Sequence, residues 1–140
     1  MKPDIQPQAF RGDHHCMKYE IKDLGRFKAI YIIGNIDSSE STKILDNEIS
    51  GLIRKGRRDF VFNLRKTTFL GSGGISFFIH RLCDVRDHHG SIFIVAEKNQ
   101  VRRVLESVGI NRLIKTYYSE KEFSDAQIEG KSTENMNTAA

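Results

Sequence analysis

From Met17 the chain alternates: Met17, Tyr19 and Ile21 are apolar, and Lys18, Glu20 and Lys22 between them are charged. Successive side chains of a strand point to opposite faces, so this period of two predicts a strand with one wetted side. A polar turn over residues 23–26, with Gly25 as its permissive residue, leads into the apolar run 29–33, and the two segments predict a hairpin. After Gly34 the period lengthens to that of a helix, because Leu45, Ile49, Leu52 and Ile53 fall on one face. Asp37 followed three residues later by Glu40 resembles a capping box, and Gly51 and Gly56 lie near the helix end. The run 60–64 predicts a buried strand and is followed by a loop. Ile75, Phe78, Ile79 and Leu82 then mark a second helix that stops at His89-Gly90. A strand over 92–96 follows, and Val101, Val104, Leu105 and Val108 mark a third helix ended by Gly109. A weaker strand over 114–118 and a short acidic helix over 119–128 complete the chain.

The resulting order, β-β-α-β-α-β-α-β-α without internal repeat, predicts an α/β domain. Its near-continuous apolar strands call for a mostly parallel mixed sheet covered by helices, with the first strand as an antiparallel edge. Residues 1–16 hold both prolines and no periodicity, and are expected to form a mobile N-terminal arm. Residues 129–140 are polar and are expected to be a disordered tail, which leaves residues 17–128 as the domain. A length of 140 residues fits one domain able to bury a core without disulfides or metals. No apolar run approaches the ~20 residues of a spanning helix. The polar start lacks the apolar stretch of a signal peptide, so the expected location is cytoplasmic. Cys16 and Cys83, far apart and without CxxC spacing, are expected to be free thiols in a reducing compartment.

Charge changes this picture little. The formal net charge is +4, and the excess is local: residues 51–100 carry nine basic and four acidic side chains. Much of it is Arg54, Lys55, Arg57 and Arg58, clustered where the first helix is expected to end and favourable there against the helix dipole. No aromatic platforms interleave with the basic residues, so nucleic acid is not the expected partner. His14, His15 and Cys16 offer at most three ligands to a metal, fewer than a structural zinc site needs, and His80, His88 and His89 read as surface residues of the second helix. No nucleophile comes with a base and an orienting group, so the chain is not expected to be an enzyme, and no cofactor is expected.

The unusual segment is Phe69-Leu70-Gly71-Ser72-Gly73-Gly74-Ile75, between an expected strand and helix. Ser72 is expected at or next to the N-cap. Serine there serves as a cap, and glycines permit a tight turn. Helix N-termini also attract phosphate through free N–H groups and the macrodipole, so the same loop suits a bound phosphate or a phosphorylated serine. It lacks the lysine and spacing of a P-loop, and its glycines do not fit the GxSxG elbow.

Three segments together with the element order carry a resemblance: Ile33-Gly34-Asn35-Ile36-Asp37; Phe62-Asn63-Leu64 leading to Phe69-Leu70-Gly71-Ser72-Gly73-Gly74; and Val101-Arg102-Arg103-Val104-Leu105 through Val108-Gly109-Ile110. The chain resembles a STAS domain over roughly residues 17–128, a family whose best-known members are bacterial anti-sigma factor antagonists. The resemblance implies a STAS-like fold. It also implies a phosphoacceptor serine at Ser72, modified by a partner that is both serine kinase and anti-sigma factor and restored by a phosphatase. Gly34 and Asp37 match the family's Gly-x-x-Asp turn, and Gly74 its helix-opening glycine. Gly71 replaces the aspartate before the serine, Gly73 replaces the second hydroxyl residue, and Ser76 stands where many members have glycine. These departures keep the acceptor and change its local charge and stiffness.

The expected function is therefore a non-enzymatic anti-sigma factor antagonist that controls sigma-factor release. Its docking surface would comprise Asp37, Gly71, Ser72, Gly73, Gly74 and Ser76, and phosphorylation of Ser72 would switch it off. One alternative is an unswitched STAS scaffold or transporter-associated module, motivated by Gly71. Another, ranked lower, is a nucleotide-binding protein using the glycine-rich loop with Arg65 and Lys66.

Overall fold

The computed structural model describes residues 17–37 and 39–128. The arm over 1–16, with His14, His15 and Cys16, and the tail over 129–140 lie outside the described residues. The elements run β1 (Lys18–Leu24), β2 (Phe27–Ile36), α1 (Ser39–Arg54), β3 (Asp59–Asn63), β4 (Thr67–Leu70), α2 (Ser72–Asp87), β5 (Ser91–Val95), α3 (Gln100–Ser107), α4 (Ile110–Leu113), β6 (Lys115–Tyr117) and α5 (residues 120–128). The position before α1 is residue 38, so the turn that would form the expected capping box of Asp37 and Glu40 lies partly outside the described residues.

The sheet has six strands in the order β1-β2-β3-β5-β6, with β4 attached to β2 off this path. β1 is the antiparallel edge, paired to β2 from Lys18↔Ile33 to Leu24↔Phe27, and the other pairings are parallel. Period-2 alternation then divides the core in two. Ile30, Ile32, Phe60, Phe62, Ile92 and Ile94 point to one face, where Leu45 and Ile49 of α1, Phe77, Phe78 and Leu82 of α2, and Val101 and Leu105 of α3 pack on them. Phe27, Ala29, Val61 and Val95 point to the other face, where Phe123 of α5 covers them. Phe123 meets Phe27 edge-on, with ring centroids 5.0 Å apart. Among the described residues, no helix is long and apolar enough to cross a membrane.

Two elements differ from the sequence expectation. The segment expected to be a loop after β3 contains β4, and the stretch after Gly109 contains the single turn of α4. β4 has four residues, of which Thr67 and Leu70 are buried and Thr68 and Phe69 exposed, so it shows no alternation to read. Its register is fixed by Thr67, whose hydroxyl donates to the Ile32 carbonyl at 2.8 Å. On α2, Phe77 takes the buried place expected for Ile79, which is exposed instead.

Candidate functional site

The way β2 divides its pairing builds the site. Its first half, Lys28 to Tyr31, lies beside β3, and its last residues, Gly34 to Ile36, lie beside β4. The change comes with a register shift between Gly34 and Asn35, and Gly34 has φ of +97°, a backbone geometry that side-chain-bearing residues rarely adopt. Because β2 and β4 run parallel and end level, at Ile36↔Leu70, the residues that follow them emerge side by side. Those residues are Asp37 and Gly71-Ser72. Two segments far apart in sequence thus form one corner.

Backbone hydrogen bonds join the corner. The Gly71 N–H donates to the Ile36 carbonyl at 2.8 Å and the Gly73 N–H to the Asp37 carbonyl at 3.1 Å. Gly74 is required by close approach: a Cβ there would lie 2.5 Å from Leu70 Cδ1 and 2.7 Å from the Ile36 carbonyl oxygen. Gly71 is the N-cap of α2 in an extended conformation (φ −104°, ψ −171°) open to any residue, and it offers no side-chain cap. What takes the place of a side chain here is its neighbours: a Cβ would overlap Asp37 Oδ1, the far end of an exposed side chain that can swing aside, and press the Phe69 ring at 3.1 Å.

Ser72 is the first residue of α2 and is exposed. The free N–H groups expected to cradle a phosphate are partly spent. Gly73 donates to Asp37, and Gly74 and Ile75 both donate to the Gly71 carbonyl. The macrodipole remains, but the donors of the first turn largely face backbone. Ser76 lies one turn along, and Ile79 and Cys83 continue the exposed stripe, which Phe69 flanks at its N-terminal end. The structure therefore brings Asp37, Gly71, Ser72, Gly73, Gly74 and Ser76 together, but Gly74, expected in the docking surface, is buried against Ile36 and Leu70 beneath it. Phe69 and the hydrogen-bonded pair Thr68 Oγ1 to Asn35 Oδ1 (2.8 Å) flank this surface and are not legible in the sequence, because both depend on the β2–β4 pairing.

α2 is held against α1 by charge as well as packing. Arg81 is buried, with Nε 3.3 Å from Asp46 Oδ1 and Nη2 2.9 Å from Asp84 Oδ2. The approach to Asp46 is an ion pair without an aligned hydrogen bond, and Arg81 Nε and Nη1 find no acceptor among the described residues. Burial pushes the Asp46 carboxyl above the usual carboxylate range, and the Arg81 guanidinium opposes that shift.

Arg65 and Lys66 belong elsewhere. They line a cleft of about 520 Å³ with Tyr31, Asn63, Tyr118 and Glu120, and no residue of 71–74 is in its lining. Several polar groups of this cleft pair with one another: Tyr31 Oη and Asn63 Nδ2 donate to Glu120 Oε1 at 2.8 and 3.2 Å, and Arg65 pairs with Glu97 at 3.3 Å. Burial, then the bond to Glu120, pushes the Tyr31 hydroxyl up to about 12. The two halves of the nucleotide-site alternative are thus not brought together. Among the described residues, no three His, Cys, Asp or Glu side chains group for a metal ion.

No curated protein matches the chain. Its fold is similar to the crystal structure of an anti-sigma factor antagonist from Mycobacterium paratuberculosis, with a TM-score of 0.70 at 19% identity over 80% of this chain and 94% of that one. It is also similar to the anti-sigma factor antagonist SpoIIAA in its unphosphorylated form, with a TM-score of 0.63 at 16% identity over 81% of this chain and 99% of that one. The phosphorylated form of the Bacillus cell fate determinant SpoIIAA gives a TM-score of 0.62 at 18% identity, over 77% and 97% of the two chains. At these identities the likeness is one of fold. The family model for the STAS domain matches residues 18–123, from the first residue of β1 to the aromatic ring of α5 that closes the second face of the sheet, and the chain belongs to the STAS domain family.

Proposed function

We infer that this protein is an anti-sigma factor antagonist switched by phosphorylation of Ser72. The observation that carries the reading is an exposed serine at the first residue of α2, in a corner tied by backbone hydrogen bonds to the Asp37 turn. In the unphosphorylated state, Asp37, the Ser72 loop and the exposed stripe of α2 dock on an anti-sigma factor with serine kinase activity, and the sigma factor is released. In the kinase, Ser72 Oγ bonds to the γ-phosphorus of ATP as the bond from that phosphorus to the bridging oxygen breaks, ADP leaves, and the hydroxyl proton passes to a base of the kinase. The added charge of about −1.5 to −2 then costs desolvation and repulsion in the interface and separates the partners. A phosphatase restores the serine. Likeness to SpoIIAA in both its forms supports a switch at the surface of an unchanged fold.

The test is binding to the anti-sigma partner with and without ATP. Ser72→Ala keeps binding and is not released by ATP, and Ser72→Asp binds about tenfold more weakly or worse, a loss of about 1.4 kcal/mol. Equal binding of both variants overturns the reading.

A further inference from the structure

Gly71 and Asp37 explain each other. The backbone at Gly71 does not require glycine, whereas the space beside it is filled by the Asp37 carboxylate and the edge of the Phe69 ring. Asp37 cannot easily leave as a unit, because its carbonyl accepts from Gly73 and the preceding Ile36 carbonyl accepts from Gly71. Its side chain is exposed and lies over the residue immediately before Ser72. An acidic group thus stands beside the acceptor serine, supplied through space by the end of β2. The N–H groups that would otherwise neutralise a phosphate there are largely occupied by carbonyls.

We propose that Asp37 is the group that a phosphate on Ser72 meets first, and that expulsion of its carboxylate from above Gly71 transmits the modification to the docking face. This rests on Ser72 as the phosphoacceptor. Two like charges compete for one corner, and the Asp37 side chain can swing aside without breaking the backbone bonds that join the segments. Its departure changes the charge and shape of the surface between the Asp37 turn and Phe69 while leaving the fold intact. Glu40, exposed in the first turn of α1, is the other acidic group close in sequence and serves as the control.

The experiment uses the full chain with phosphoserine installed at position 72 during translation, so it needs no kinase or partner. The ³¹P signal is followed against pH at low and high salt. In Asp37→Asn the second ionisation of the phosphate falls by about half a pH unit at low salt, the effect of one unit charge roughly 5–7 Å away in water, and the difference shrinks at high salt. Glu40→Gln moves it by less than half as much. In parallel, the Phe69 ring resonances, which lie beside Gly71 where the Asp37 carboxylate sits, shift on phosphorylation of the unsubstituted chain and shift much less in Asp37→Asn. An unchanged ³¹P midpoint in Asp37→Asn, or an equal effect of Glu40→Gln, overturns the proposal. Because the phosphate is installed directly, these outcomes are independent of whether a kinase uses Ser72. Failure of the partner-binding test with the expected ³¹P shift would reject the proposed function alone.

Discussion

α2 and α3 start in comparable places, each after a strand of the sheet, and their first turns are finished in opposite ways. At α3 the Asn99 side chain accepts the Arg102 N–H at 3.1 Å, a side-chain cap. α5 is closed as well: Ser119 Oγ accepts the Glu122 N–H at 3.0 Å, and Glu122 Oε1 accepts the Tyr118 N–H at 2.9 Å. At α2 the cap position is Gly71, with no side chain to give, and the serine stands one residue later, facing water. A side-chain cap is typically worth ~1 kcal/mol. α2 forgoes that local stabilisation and takes its anchorage from elsewhere, from Gly71 and Gly73 bonded to the end of β2 and from the buried ring pair Phe77 and Phe78. Where local structure gives up stability and the surroundings supply it, a function is the usual reason.

The strongest challenge to this contrast is Gly74→Ala. Its new methyl meets the Ile36 carbonyl and Leu70, and the carbonyl is backbone that is already committed to Gly71. We expect a loss of about 3 kcal/mol, at the upper end for overpacking, read as a lower urea midpoint. A loss below about 0.5 kcal/mol would mean the corner yields easily and is not what anchors α2.

Arg81→Ala tests the other anchor, farther along α2. Removing one member of a buried ion pair strands its partner, and because Asp46 and Asp84 keep some contact with water the expected loss is about 2 kcal/mol, below the range for fully buried pairs. The pH dependence has a fixed sign. Burial raises the Asp46 carboxyl in the folded state, so its contribution is fully present below the unfolded carboxylate value and is lost as pH rises through the raised one. Arg81 offsets part of that loss. Stability of Arg81→Ala therefore falls more steeply than that of the parent between pH 3 and 7, in urea melts at low salt. Parallel profiles would remove Arg81 from the account of Asp46.

Much of this architecture is legible in the chain because one face of each element is apolar. The hairpin, the first three long helices and the buried strands follow from period alone. β4 does not, since Thr67 is buried by a hydroxyl bond and Phe69 is exposed, so polarity and burial are inverted at both positions. α4 is hidden for another reason: Gly109, at φ +85°, marks the end of one helix and also caps the next single turn. The exchange of Ile79 for Phe77 arises where three neighbouring apolar residues, Phe77, Phe78 and Ile79, make the helical face ambiguous. Of the candidate site, the serine and its glycines are readable from local chemistry and from the family resemblance. The contact between Asp37 and Gly71 is not, because it depends on β2 leaving β3 for a strand that the pattern does not reveal.

The smallest effect separates the two helix starts most directly. Asn99→Ala removes a side chain that satisfies the Arg102 N–H, so α3 is left with an orphan donor and the protein loses about 1 kcal/mol. Ser72→Ala removes no cap, because the cap position is Gly71, and alanine is the better helix former; the change in stability stays within about 0.5 kcal/mol of zero. Both substitutions delete a small polar group within the first turn or cap of a helix, so equal losses in the same urea series would show that Ser72 is a structural cap after all. A full cap loss at Asn99 beside none at Ser72 leaves the serine hydroxyl without a role in stability, and its place on the surface is then explained by chemistry done to it.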